Sequence, residues 1–114
     1  MKTADALASL AALAQDSRLA LFRLLVRRGP AGHSAGEIGR RLAIPTGTLS
    51  FHLKELALAG LIEARRDGRC IYYCANLDGI NELVGFLTNH RVGGTFGANG
   101  APRAAEAMLR RTRA

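Results

Sequence analysis

A chain of 114 residues, 48% hydrophobic and 22% charged, is long enough for one domain with a buried core and too short to expect two. No run approaches the roughly 20 apolar residues that span a bilayer. The N-terminal stretch MKTADALASLAALAQDSR carries Asp5 inside its apolar pattern and lacks a charged leader region, so a soluble, cytoplasmic protein is expected, with no membrane partner. A net charge of +7 favours a polyanionic partner, because Lys and Arg that neutralise phosphates release condensed counterions, and two cysteines exclude a disulfide framework.

Residues 4–14 set Leu7, Leu10, Ala11 and Ala14 at helical spacing. Asp16-Ser17 is the expected N-cap of a second helix, RLALFRLLVRR, in which Leu21, Leu24, Leu25 and Arg28 repeat that spacing until GPAGHS breaks it. Ser34 caps a third helix, AGEIGRRLAI, where Glu37 completes a capping-box pattern and Pro45 stops the segment. Thr46 opens a fourth, GTLSFHLKELALAG, closed at Gly60. In LIEARRDGRCIYYCA, Asp67-Gly68 is a two-residue turn between β-prone segments, which predicts an antiparallel ribbon. Asp78 is the expected cap of a fifth helix carrying Ile80, Leu83, Val84 and Leu87 at i, i+3, i+4 and i+7. RVGGTFGANGAPR then reads as a glycine-rich linker, and the arginine-rich end as a short helix or a mobile basic tail. The expected division is a domain over residues 1–92 and a linker with tail over 93–114.

Two short helices with a tight link, followed by a basic-tipped ribbon, are the parts of a winged helix-turn-helix. The expected fold is mainly α, with five helices and a two-stranded antiparallel hairpin wing. On a helical wheel the fourth helix turns Leu49, Leu53, Leu56 and Gly60 to the core and Gly47, Ser50, Phe51 and Lys54 outward, with Thr48 and Glu55 beside them. That outward set suits double-stranded DNA. Thr48 and Ser50 bond base edges or phosphates, Lys54 holds a phosphate and Phe51 touches thymine methyls. Thr46 and Gly47 at the helix start complete the candidate set together with His52, which is expected to be half-buried and locally bonded but within reach of a phosphate. Arg65, Arg66 and Arg69 surround the hairpin tip, where a wing meets the backbone or the minor groove. The same residues suit a solvated helix face and a charged sheet edge, and an outward Phe51 also suits a protein-interaction module. Turn, ribbon and charge together favour DNA.

At this point DSRLALFRLL, GEIGRRLAIPTGTLSFHLKELALAGLIEARRDGRCIYY and the helix after them resemble the ArsR/SmtB family of bacterial winged-helix repressors, over roughly residues 5 to 92. The resemblance implies a homodimer paired through its first and last helices, bound to a palindromic operator and released by an inducer. Leu7, Leu10, Leu83, Val84 and Leu87 are the residues so placed at the dimer interface. Independently, these leucines give more apolar stripe than one small core needs, with packing inside a single chain as the alternative.

The residues that serve metal sensing in such proteins are replaced here. Gly39 and Arg41 stand where one type carries a cysteine pair, and Asp78-Gly79-Ile80, then Arg91 and Gly94, stand where another carries zinc ligands. Arg91-Val92 stand where an arsenic-responsive type has adjacent cysteines. No metal site and no cofactor is expected, the inducer is unassigned, and no constellation suggests an enzyme. Cys70 and Cys74 remain. Four residues along a strand cover roughly 13 Å, too far for a shared ion or a disulfide within one strand. An Asp67-Gly68 turn pairs Arg65 with Cys70, Ala64 with Ile71, Ile62 with Tyr73 and Leu61 with Cys74, which places Cys70 beside a cation as a candidate responsive thiol; a repressor that responds to arsenic, another metalloid or oxidants through Cys70, Cys74 or both is the alternative reading.

Overall fold

The computed structural model describes residues 1–88. The expected boundary at residue 92 and the linker and tail beyond it lie outside the described residues, as do His90, Arg91, Val92 and Gly94. Met1–Leu83 form one compact unit, and the described residues from Val84 onward are not part of it.

The elements follow in the order α1 (Thr3–Leu13), α2 (Asp16–Arg28), β1 (His33–Ser34), α3 (Ala35–Leu42), α4 (Thr46–Leu58), β2 (Ile62–Asp67), β3 (Cys70–Ala75) and α5 (Leu77–Leu87). The winged helix-turn-helix expected from periodicity is present, with one addition. β1 pairs with β3, so the ribbon is part of a three-stranded antiparallel sheet ordered β1-β3-β2. Two residues have no alternation to read, which is why β1 is silent in the sequence.

Helix starts depart from expectation by a residue or two. Gln15, not Asp16 or Ser17, caps α2, its side chain accepting from the Arg18 N–H at 2.9 Å. Asp16 sits inside the first turn, where its charge complements the helix dipole. Ser34 caps α3 as expected, accepting from the Glu37 N–H at 3.2 Å. The Glu37 carboxylate instead accepts from Arg40 at 2.7 Å and Arg41 at 3.0 Å. Asn76, not Asp78, caps α5, its Oδ1 accepting from the Gly79 N–H at 3.3 Å.

The link between α3 and α4 is tight. Ala43 closes α3 in the left-handed region at φ 54°, a conformation that costs a side-chain-bearing residue about 1–2 kcal/mol. The Ile44 N–H then returns to the Gly39 carbonyl at 3.1 Å, and Pro45, with its φ locked by the ring, leads into α4.

Behind this link lies the core: Leu21, Phe22 and Leu25 of α2, Ile38 of α3, Leu49, Leu53 and Leu56 of α4, and Leu61 and Ile62, together with Ala12. The inward arc of α4 is the one the helical wheel assigns. On the sheet, Ile62 is buried and Tyr73 and Ala75 pack on the core, while Ala64 and Ile71 are exposed. The distal half of the hairpin therefore projects beyond the core that its proximal half joins.

The β2–β3 register corrects the expected one. Asp67 pairs with Cys70, Arg65 with Tyr72, Ala64 with Tyr73 and Ile62 with Ala75. The turn residues are Gly68 and Arg69, and of these only Gly68 has a positive φ, 65°, the requirement of a type II′ turn. Each β2 residue meets a β3 residue two places further along than expected, so the faces are retained while every partner changes.

The start of α5 is seated on the end of α4. The Asn76 Nδ2 donates to the Gly60 carbonyl at 2.9 Å, and a Cβ on Gly79 would collide with that same oxygen. Glycine is required here by close approach rather than by backbone angle.

Candidate nucleic-acid interface

Three consecutive turns of α4 place Thr46, Gly47, Thr48, Ser50, Phe51 and Lys54 on its exposed side. Phe51 is 54% exposed. None of the side-chain hydrogen bonds or ion pairs among the described residues involves Thr46, Thr48, Ser50 or Lys54. Among the described residues, two threonines, a serine and a lysine thus stand with their donors and acceptors unengaged, as residues that read base edges and phosphates must.

His52 does not belong to that set. It is buried, 6% exposed, and its Nδ1 lies 3.3 Å from Nη1 of Arg18. A guanidinium can only donate, so Nδ1 accepts and the imidazole is neutral with its proton on Nε2. Burial first, and the Arg18 charge second, hold its pKa below the ordinary histidine value. Burial, rather than protonation state, takes the ring out of the outward set.

Arg18 itself is invisible to sequence reasoning. Its Nε donates to the Ala12 carbonyl at 2.7 Å and its guanidinium carbon lies 5.9 Å from the centre of the Phe51 ring. One side chain thereby ties the end of α1 to both aromatic rings of α4, and no spacing rule joins residue 18 to residues 51 and 52.

On the hairpin, Arg65, Arg66 and Arg69 are all exposed, but they are not equivalent. Arg69 occupies the turn and Arg66 sits opposite Ile71 near the tip. Arg65 is bonded back to the protein: it donates to the Pro30 and Ala31 carbonyls at 3.0 and 3.1 Å. Two of its five N–H donors are thereby engaged within the chain.

A further basic pair lies on α3, where Arg40 and Arg41 converge on Glu37 with their side chains 73% and 53% exposed. Hydrogen bonds from Arg40 and then Arg41 hold the Glu37 carboxyl below its ordinary pKa. This i, i+3 and i, i+4 spacing was legible in EIGRR, although the sequence reading assigned it no role.

Cys70 is exposed and Cys74 half-buried, both as free thiols. Their cross-strand partners are Asp67 and Glu63 respectively, so the arginine that was to activate Cys70 is not beside it. Among the described residues no group of three or more His, Cys, Asp and Glu side chains is placed to hold a metal ion, and no helix is long and apolar enough to cross a membrane.

The residues expected at a dimer interface also divide. Leu7 and Leu10 on α1 are exposed, and so are Val84 and Leu87 on α5 at 51% and 54%. Leu83 is 2% exposed and is consumed by packing within the chain, which removes it from the set available to a partner.

Residues 13–65 match the helix-turn-helix domain family. The chain is 40% identical over 77 residues to the uncharacterized HTH-type transcriptional regulator YceK of Bacillus subtilis, covering 67% of this chain and 76% of that protein. Its fold is similar to that of an ArsR-like transcriptional regulator from Rhodococcus sp. RHA1, with a TM-score of 0.70 at 27% identity over 94% of this chain and 92% of the other. It is likewise similar to the homodimeric winged helix-turn-helix DNA-binding domain of a possible ArsR-family regulator from Mycobacterium bovis. There the TM-score is 0.62 at 26% identity, covering 77% and 82% of the two chains.

Proposed function

This chain belongs to the ArsR-type winged helix-turn-helix transcriptional regulators, and we propose that it acts as a homodimeric repressor, holding a palindromic operator until an inducer releases it. The observation that carries the reading is the outward face of α4, whose Thr46, Thr48, Ser50 and Lys54 side chains make no hydrogen bond or ion pair among the described residues and lead into an arginine-tipped hairpin. In this reading α4 enters the major groove, Thr48 and Ser50 bond base edges, Phe51 lies against thymine methyls, and Lys54, Arg66 and Arg69 take phosphates. The function is binding, without a catalytic step.

Dimerisation in this reading uses the exposed apolar side chains of two helices, Leu7 and Leu10 on α1 and Val84 and Leu87 on α5. The homodimeric state of the similar Mycobacterium bovis domain supports it. Two copies related by a two-fold axis set their recognition helices about 34–36 Å apart on one face of DNA, which is why a palindrome is the expected target.

The test is anisotropy titration of the protein onto DNA upstream of its own gene, beside scrambled DNA of equal length. Selective binding that disappears in the Ser50→Ala, Lys54→Ala double variant supports the reading. Equal affinity for both DNAs overturns it. Sedimentation of a Leu7→Asp, Leu87→Asp variant checks the dimer: the wild type runs as two chains and the variant as one.

A further inference from the structure

Arg65 stands on β2, at the opposite edge of the sheet from β1. Its side chain nevertheless reaches the loop that precedes β1. On the way it passes Tyr72, its cross-strand partner on β3, with the guanidinium carbon 5.6 Å from the ring centre. Beyond the ring, Nη1 and Nη2 each donate to one carbonyl, those of Pro30 and Ala31. The next carbonyl along, that of Gly32, accepts from Arg28 Nε at 2.9 Å. Three successive carbonyls of the α2–β1 loop are thus held by two guanidinium groups.

The mechanics of the wing make this tether consequential. β1 contributes only His33 and Ser34 to the sheet, and the hairpin's distal half carries exposed residues with no core beneath them. A two-stranded hairpin is marginal on its own, so its direction depends on what holds its base. The Arg65 side chain joins one edge strand, β2, the middle strand, β3, and the loop before the other edge strand, β1. A planar fork with two parallel donors and a face that stacks on an aromatic ring does this; a lysine ammonium does not.

We propose that Arg65 is a positioning residue of the wing: it laces β2 and β3 to the α2–β1 loop so that Arg66 and Arg69 meet the phosphate backbone in a fixed place. The proposal rests on the DNA-binding reading above.

The discriminating measurement is operator affinity against salt concentration for the full chain, because each lost phosphate contact lowers the slope of log K against log salt by about 0.9. Arg65→Ala and Tyr72→Leu should bind roughly tenfold more weakly with the wild-type slope, as when a charged hydrogen-bonded support is removed but no phosphate is released. Arg65→Lys should behave like Arg65→Ala, and Arg69→Ala should lose about 0.9 of slope. Amide hydrogen exchange of β2 and β3, measured without DNA, should quicken in Arg65→Ala and in Tyr72→Leu and stay unchanged in Arg69→Ala. A slope for Arg65→Ala that drops as far as that for Arg69→Ala overturns the proposal, and so does full rescue by Arg65→Lys. Wild-type affinity and wild-type exchange in both Arg65→Ala and Tyr72→Leu overturn it equally. Should the wild type itself show no DNA selectivity, the DNA reading falls, while the exchange arm still decides whether Arg65 laces the sheet.

Discussion

The outward face of α4 and Arg65 of the hairpin both read as DNA-contacting in the sequence, and the structure treats them in opposite ways. Thr46, Thr48, Ser50 and Lys54 on α4 are left unengaged among the described residues, whereas Arg65 on β2 spends two donors and one ring face on its own chain. A helix points its short polar side chains away from the core by geometry alone, so periodicity finds its free face. Strand alternation fixes only which side of the sheet an arginine leaves from, and the length of the side chain then lets it find a carbonyl more than thirty residues away.

The largest perturbation should erase the contrast by removing both regions together. Leu56→Ala, at a fully buried position on the inner side of α4, should lower unfolding free energy by about 2–5 kcal/mol, read by chemical denaturation. Gly79→Ala comes next: its methyl meets the Gly60 carbonyl, and a loss of about 1–3 kcal/mol is expected, with the salt slope of DNA binding unchanged in whatever fraction stays folded. Lys54→Ala sharpens the comparison from the helix side. Stability should stay within about 0.5 kcal/mol of wild type while the salt slope falls by about 0.9.

A smaller effect concerns pH. Burial first, and neighbouring arginines second, hold His52 and His33 below the ordinary value of 6.5. Between 6.5 and those lower folded-state values the unfolded chain takes up protons that the folded chain refuses. The stability these histidines contribute is therefore complete above pH 6.5 and falls as pH drops through that window. Denaturation midpoints at pH 7.5 and 5.5 should show the fall, and His52→Gln should reduce it. The smallest effect is expected at the hairpin tip: with Asp67 rather than Arg65 as its partner, Cys70→Ser should leave DNA binding and its response to peroxide at wild-type values, measured by anisotropy.

Where the sequence reading succeeded, one chain segment carried its own answer. The five helices, the inward arc of Leu49, Leu53 and Leu56, and the Ser34 cap all follow from residues within a turn or two of each other. Where it failed, the answer lay across the fold. The hairpin register slipped because Asp67 pairs in the ladder and leaves Gly68 and Arg69 to turn the chain, an alternative that a DG dipeptide does not exclude. His52 left the DNA set because a partner from α2, Arg18, claims its Nδ1. Leu83 left the dimer set because a helical stripe does not say which of its members the chain buries for itself. The caps moved to Gln15 and Asn76 because several polar residues cluster at each helix start and only geometry selects among them.

The short link between α3 and α4 carries one more implication. A left-handed Ala43, a returned Ile44 hydrogen bond and the locked ring of Pro45 leave the approach to α4 little torsional freedom. The recognition helix is thus ordered before DNA arrives, and its conformational entropy is lost in folding rather than in association. In a calorimeter the heat capacity change on operator binding should then match the apolar surface buried at the groove, with no added increment from a helix that folds on contact.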